Sequence, residues 1–99
     1  MRLANRRDAN HGTISRTFEQ LGWVVEDTSR QGNGFPDIAI AKVTAQGKVT
    51  ALVEIKISKG KLRPKQEAFR ARWPGKVYVC RTVEDVLRVN DENTRCEAP

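Results

Sequence analysis

The chain has 99 residues, with eighteen Lys and Arg against twelve Asp and Glu for a net charge of +6, which limits it to one domain with much of its surface exposed. The surplus is uneven: residues 1–83 alone hold sixteen basic and seven acidic side chains, a net of +9, so a polyanion such as nucleic acid is the natural partner, although an anionic membrane surface or plain solubility would be served as well. Two distant cysteines and one histidine exclude a disulfide framework and a Cys/His zinc cluster, and no apolar run is long enough to span a membrane, so the reading is a cytoplasmic chain without a membrane partner.

After a basic arm at residues 1–7, Asp8 to Leu21 reads as a helix with Ile14, Phe18 and Leu21 on one face, Asp8 or Asn10 as its cap and Gly22 as its stop. Trp23-Val24-Val25 begins a short strand. Thr28 to Gly34 is a loop rich in Ser, Arg, Gln, Gly and Asn. Phe35 to Val43 and Val49 to Ile57 form the arms of a hairpin. With Gln46 and Gly47 as central turn residues, Ala39 would face Glu54 and Asp37 would face Lys56; any even loop, or a bulge, keeps Asp37 on the face of Glu54. A basic turn, Ser58 to Pro64, leads into a helix from about Pro64 to Trp73 that Pro74-Gly75 ends. Lys76 to Cys80 should run parallel to Val49–Ile57, since the intervening helix allows a crossover. Thr82 to Val89 predicts a last helix, capped by Thr82 and packed through Val83, Val86 and Leu87, with a loose tail over residues 90–99. The order α-β-β-β-α-β-α predicts a three-layer α/β sandwich around a mixed sheet of about four strands.

Asp37 precedes Glu54 by seventeen residues, and Lys56 shares a strand face with Glu54. Two carboxylates are hard oxygen ligands suited to Mg²⁺ or Mn²⁺, and too few to enclose the ion, so water and a substrate phosphate would complete its sphere. Lys56 can then stabilise charge gathering on a phosphoryl group in a phosphodiester hydrolysis, or orient the attacking water. The plainer alternative is a solvated strand face with an aspartate at a turn. Gln66 adds weight to the first reading. Leu62, Gln66, Phe69 and Trp73 fall on one helical stripe, and an amide on an apolar stripe needs a partner, whether the carboxylates, their water or a phosphate, unless it reaches the helix edge for solvent. Lys59, Lys61, Arg63 and Lys65 can grip flanking phosphates, a contact that positions DNA without reading its sequence. Arg70 and Arg72 are either further phosphate contacts or solvated surface. His11, near the inner face of the first helix, is a candidate metal neighbour or proton carrier, a structural role being the commoner one. No P-loop, serine elbow or dinucleotide glycine pattern is present, so no nucleotide cofactor is expected.

Together Gly34-Phe35-Pro36-Asp37, Val53-Glu54-Ile55-Lys56 and Leu62-Arg63-Pro64-Lys65-Gln66, followed by Arg81-Thr82-Val83-Glu84-Asp85-Val86, resemble the PD-(D/E)XK nuclease superfamily and within it the VRR-NUC group of small phage and bacterial endonucleases, over about Asp8 to Val89. The resemblance implies a restriction-endonuclease-like fold, a metal held by Asp37, Glu54 and the Ile55 backbone carbonyl, a catalytic Lys56 and a supporting Gln66. It departs where relatives often carry Glu or Gln on the first helix and this chain has His11; Glu19 projects away from the helix's apolar stripe. Stand-alone members resemble Holliday junction resolvases, whose symmetric double cut calls for two copies, joined through Trp23, the Phe35 region or the final helix. The implied activity is a metal-dependent, structure-selective endonuclease on branched or duplex DNA. A flap or nicking enzyme, action on RNA, and a catalytically idle DNA-binding or inhibitor module on the same fold stay open as alternatives.

Overall fold

The computed structural model describes residues 6–57 and 59–95. Among the described residues three helices and four strands follow the expected order: α1 (Arg6–Gln20), β1 (Val24–Asp27), β2 (Ile38–Thr44), β3 (Gly47–Ile55), α2 (Pro64–Arg72), β4 (Val77–Cys80) and α3 (Val83–Thr94). The sheet order is β1-β2-β3-β4, antiparallel except for the parallel β3–β4 pair. This is the predicted mixed sheet with its helical crossover.

Alternation decides which face each helix covers. Ile38 and Ile40 on β2 join Ala51, Val53 and Ile55 on β3 in one apolar face, and Ile14, Phe18, Val86 and Val89 from α1 and α3 close over it. The opposite face carries Ala39, Ala41, Leu52 and Glu54; α2 meets its Glu54 end through Gln66, and Trp73, just past the helix, borders a recess over Ala39, Ala41 and Leu52. The third layer is therefore a single helix of nine residues. Phe35, Phe69 and Trp73 form its aromatic seam, with Phe69 stacked on Trp73 at 5.0 Å. Among the described residues no helix is long and apolar enough to cross a membrane.

Three expectations change. The hairpin register slips by two residues: Thr44 pairs with Gly47, so Ala45 and Gln46 are the turn centre and Ala39 faces Leu52 rather than Glu54. Two contacts made by the Thr44 hydroxyl explain the slip, since it accepts from the Gln46 N–H at 3.1 Å and donates to the Gly47 carbonyl at 3.0 Å. The positive φ of 112° at Gly47 then falls on the first strand residue, where it restores the twist that a turn of two ordinary residues would splay. Face parity survives because the shift is even. Second, α3 runs to Thr94 instead of loosening after Asn90. The buried Asn93 amide holds that last turn: its Oδ1 accepts from Lys76 Nζ, and its Nδ2 donates to the Val89 carbonyl and the Tyr78 hydroxyl. Third, α3 packs through Val86 and Val89, leaving Val83 and Leu87 exposed. Residues 1–5 of the basic arm, Cys96 and the rest of the tail from residue 96, and Ser58 lie outside the described residues.

Candidate active site

Asp37 stands one residue before β2, where the slipped register brings it beside Val53, Glu54 and Ile55 rather than Lys56. Its N–H donates to the Val53 carbonyl at 3.0 Å, and its Oδ2 accepts from the Ile55 N–H at 2.8 Å. The Asp37 carbonyl turns the other way and accepts from Thr28 N–H at 2.8 Å. A side-chain carboxylate thus takes the backbone donor that a strand carbonyl would ordinarily take. Within a strand the N–H and C=O of one residue point to the same side, so the Ile55 carbonyl faces the side on which Asp37 lies.

Glu54 is on the face covered by α2. Its Oε2 accepts from Gln66 Nε2 at 2.6 Å, and Lys56 Nζ lies 3.9 Å from the same oxygen. The Asp37 and Glu54 residues are only 5 % and 4 % exposed. Burying charge at this depth is costly unless it is paired and hydrogen-bonded, and both carboxylates have the partners that this demands. The Gln66 amide is fixed at both ends. While Nε2 serves Glu54, Oε1 accepts from the Arg63 N–H at 2.7 Å, satisfying one of the backbone donors at the start of α2. Only this half of a capping box can form, because a guanidinium at the cap position has no lone pair to offer in return. The amide expected to need a partner on the apolar stripe therefore bonds directly to the carboxylate.

The basic residues surround this cluster. Lys59, Lys61, Arg63 and Lys65 are exposed. A recess of about 300 Å³ beside Glu54 is lined by Lys56, Gly60, Lys61, Arg63 and Gln66. Arg72 is spent differently, its guanidinium lying 5.1 Å from the centre of the Phe69 ring. His11 does not join the carboxylates: its Nε2 lies 3.9 Å from Asp27 Oδ2 at the end of β1. The Ser29 hydroxyl and N–H bonded to Asp27, with smaller help from His11 and Arg30, keep the Asp27 carboxyl below its ordinary value.

Two residues that support the site were missed from the sequence. Asn10, expected only as a helix cap, lies inside α1, and its Nδ2 donates to the Lys56 carbonyl at 2.8 Å. Its signal was its place four residues ahead of Ile14, a polar amide in phase with the apolar stripe, which is the argument that found Gln66. Arg81 bonds through Nη1 to the carbonyls of Ile57, at 3.2 Å, and Gly60, tying the basic turn to the start of α3. Nothing local in the sequence marks that contact.

The residues expected to hold a metal would offer two carboxylates and one carbonyl, all oxygen. Among the described residues no group of three His, Cys, Asp or Glu assembles anywhere. Such a set fits a hard divalent ion that keeps positions open for water and phosphate.

Comparison with known proteins agrees with this geometry. The profile of the VRR-NUC domain matches residues 6–84. A solved structure titled "VRR_NUC domain" is similar at 27 % identity over 91 % of this chain and 99 % of that one, with a TM-score of 0.66. No curated protein matches. The matched span contains the acidic pair, the lysine and the amide that secures Glu54, so the chain belongs to the VRR-NUC family of the PD-(D/E)XK nuclease superfamily, whose function is of the nuclease type and whose substrate is DNA.

Proposed function

We propose that this chain is a Mg²⁺- or Mn²⁺-dependent, structure-selective DNA endonuclease of the Holliday junction resolvase kind, cutting phosphodiesters to leave 5′ phosphates and acting inside the cell as a homodimer. The observation that carries the reading is the set of bonds around Glu54: Gln66 Nε2 at 2.6 Å and Lys56 Nζ at 3.9 Å, with Asp37 held on the next backbone donor, Ile55 N–H, at 2.8 Å. Asp37, Glu54 and the Ile55 carbonyl would hold the ion, which supplies Lewis acidity toward a phosphoryl oxygen and an acidified water. The chain's own residues do the rest. Gln66 and the Ile55 N–H orient the two carboxylates before substrate arrives, and burial keeps bulk water from screening them. Lys56 brings a cation to the charge that builds on the phosphate. Lys59, Lys61, Arg63 and Lys65 bind the flanking backbone and give the affinity its salt dependence. A twofold pair of chains would present two such sites to the two strands of a junction. Of the surfaces considered for that pairing, Trp23 is withdrawn: it is buried, with Nε1 donating to Asn90 Oδ1 at 2.9 Å. The final helix keeps Val83 and Leu87 exposed.

The test is cleavage of labelled junction, flap, nicked and linear duplexes side by side, with Mg²⁺ or Mn²⁺. Asp37→Ala and Lys56→Ala should abolish cutting while junction binding in Ca²⁺ survives. Normal cutting by either purified variant refutes the assignment, and preference for flap or nick over junction replaces the resolvase part of it. The idle-module reading is favoured by one observation, that His11 on α1 turns to Asp27 and leaves the carboxylates. Calorimetry with Mn²⁺ separates the two, because an idle module would bind no ion or bind it equally well after Asp37→Asn.

A further inference from the structure

Two recesses open on either side of the Gln66 amide. The first, beside the basic turn, contains Glu54 and Lys56. The second, about 580 Å³, lies between the β1–β2 loop and the start of α2, lined by Ser29, Asn33, Phe35, Asp37 and Lys65 among others; Arg63 and Gln66 line both. Among the described residues lining this second recess Asp37 is the one carboxylate, and the others are basic, polar and apolar groups.

Its outer wall is a built structure. Thr28 closes the base of the loop, donating N–H to the Asp37 carbonyl and Oγ1 to the Pro36 carbonyl, both at 2.8 Å, and the Gln31 N–H bonds back to Thr28 at 3.1 Å. Gly32 to Phe35 form a second turn, with the Phe35 N–H on the Gly32 carbonyl at 3.0 Å and φ of 54° and 84° at Asn33 and Gly34. Positive φ at both central residues makes this the tight turn that Asn-Gly favours. Gly34 then packs so closely on α2 that a Cβ there would lie 2.3 Å from the Lys65 carbonyl oxygen. Asn33 is thereby held at the rim opposite Lys65, and both side chains are exposed.

We infer that this second recess is a nucleotide subsite. It receives the sugar-phosphate next to the scissile one, on the side away from the basic turn, with Lys65 against the phosphate and the Asn33 amide hydrogen-bonded to the same nucleotide. The inference rests on the proposed nuclease site and adds the path of the strand through it. A strand whose phosphate lies at Asp37 and Glu54 must leave in both directions. One direction is the basic turn. Asn10 of α1, bonded to the Lys56 carbonyl, occupies the opposite face of the sheet, so the other exit passes between the loop and α2.

Methylphosphonate scanning tests it, with the intact chain and a labelled junction in Ca²⁺. The junction is neutralised one phosphate at a time along the cut strand. In the wild type, one position beyond the scissile phosphate and away from the basic turn should weaken binding about three- to tenfold when neutralised. Lys65→Gln with Asn33→Asp should lose at least that factor on natural DNA, and neutralising that same position should cost it nothing more and recover part of the loss, since the added carboxylate then no longer meets a charged phosphate. Asp tolerates the left-handed backbone as Asn does, and unchanged circular dichroism checks the fold. Equal losses in wild type and variant at every position overturn the subsite, as does a chain that binds no DNA. If the position-specific coupling appears but the wild type never cuts with Mg²⁺ or Mn²⁺, the subsite stands and the nuclease reading falls.

Discussion

Gly34→Ala should cost far more than the same change two residues earlier. At Gly34 the backbone has φ of +84°, and an added Cβ would meet the Lys65 carbonyl oxygen at 2.3 Å, its carbon at 2.6 Å and Gln66 N at 3.2 Å. At Gly32 φ is +69° and nothing lies within 4 Å. Both substitutions carry the left-handed penalty of about 1–2 kcal/mol for an L side chain, and both gain the same small benefit from a stiffer unfolded chain. Only Gly34→Ala must also push backbone aside by about 1 Å, an overpacking cost of about 1–3 kcal/mol. The difference between the variants should therefore be about 2 kcal/mol, or about 8–16 °C in melting temperature for a domain of this size. The atoms displaced belong to the first turn of α2, which carries Gln66, so Gly34→Ala should also slow cleavage while Gly32→Ala leaves it close to wild type. Urea unfolding followed by circular dichroism, together with junction cleavage, measures both. Equal losses from the two alanines would show that the loop does not seat on α2.

Three further outcomes follow from particular contacts. Gln66→Glu places a second acid where an amide donates at 2.6 Å to Glu54; two carboxylates so close can stay together only by sharing a proton, so the variant should match wild type in urea near pH 4 and lose stability as pH rises, whereas Gln66→Ala should lose about 1–3 kcal/mol at every pH. Burial pushes the Asp85 carboxyl up, but the N–H groups of Arg81 and Thr82 and the Arg88 guanidinium outweigh it and leave Asp85 below its ordinary value. A lowered carboxyl stabilises the fold above its unfolded value and loses that contribution as pH falls through the folded one, so acid melts should show a shallower stability loss below about pH 4 for Asp85→Asn than for wild type. Burial drives the Cys80 thiol up to about 12, so peptide mapping after iodoacetamide at pH 8 should find Cys80 unmodified in the native chain and modified in urea; labelling without denaturant would contradict its burial.

Much of this architecture is legible because it rests on periodicity. The alternation in β3 and the stripe on α2 bring Glu54, Lys56 and Gln66 together before any coordinate is known, and the stripe shows why Gln66 must bond to something. Even parity of the hairpin could be argued, but its register could not. One hydroxyl, on Thr44, selects Ala45-Gln46 over Gln46-Gly47 as the turn centre, and the two differ by no hydrophobic burial that a pattern would reveal. The end of α3 was hidden for a different reason. Asn90 to Thr94 is polar and reads as a fraying tail, yet Asn93 bonds to Lys76 and Tyr78, partners fifteen or more residues away. The same holds for Asn10 on the Lys56 carbonyl, 46 residues distant. Long-range polar contacts leave no local signature, and here they support the site from behind.

The link between fold and chemistry is closest at Asp37, whose side chain completes the sheet. Its backbone carbonyl is committed to Thr28, so the Ile55 N–H depends on the carboxylate for its acceptor. Asp37→Asn and Asp37→Ala should therefore abolish cleavage alike but differ in stability. Asn keeps an oxygen for the Ile55 N–H and turns its amide donors toward the place where a cation would sit, which removes ion binding without opening the sheet. Ala leaves a buried backbone donor unpaired, at a cost of about 1–3 kcal/mol. Urea unfolding of the two metal-free variants reads that gap directly, and Mn²⁺ calorimetry should show both silent. If Ala proves as stable as Asn, the carboxylate does not hold the strand end, and its orientation for the ion must come from elsewhere. If the gap appears, one hydrogen bond both ends the β2–β3 ladder and sets the metal-facing oxygen, so strand pairing itself preorganises the site.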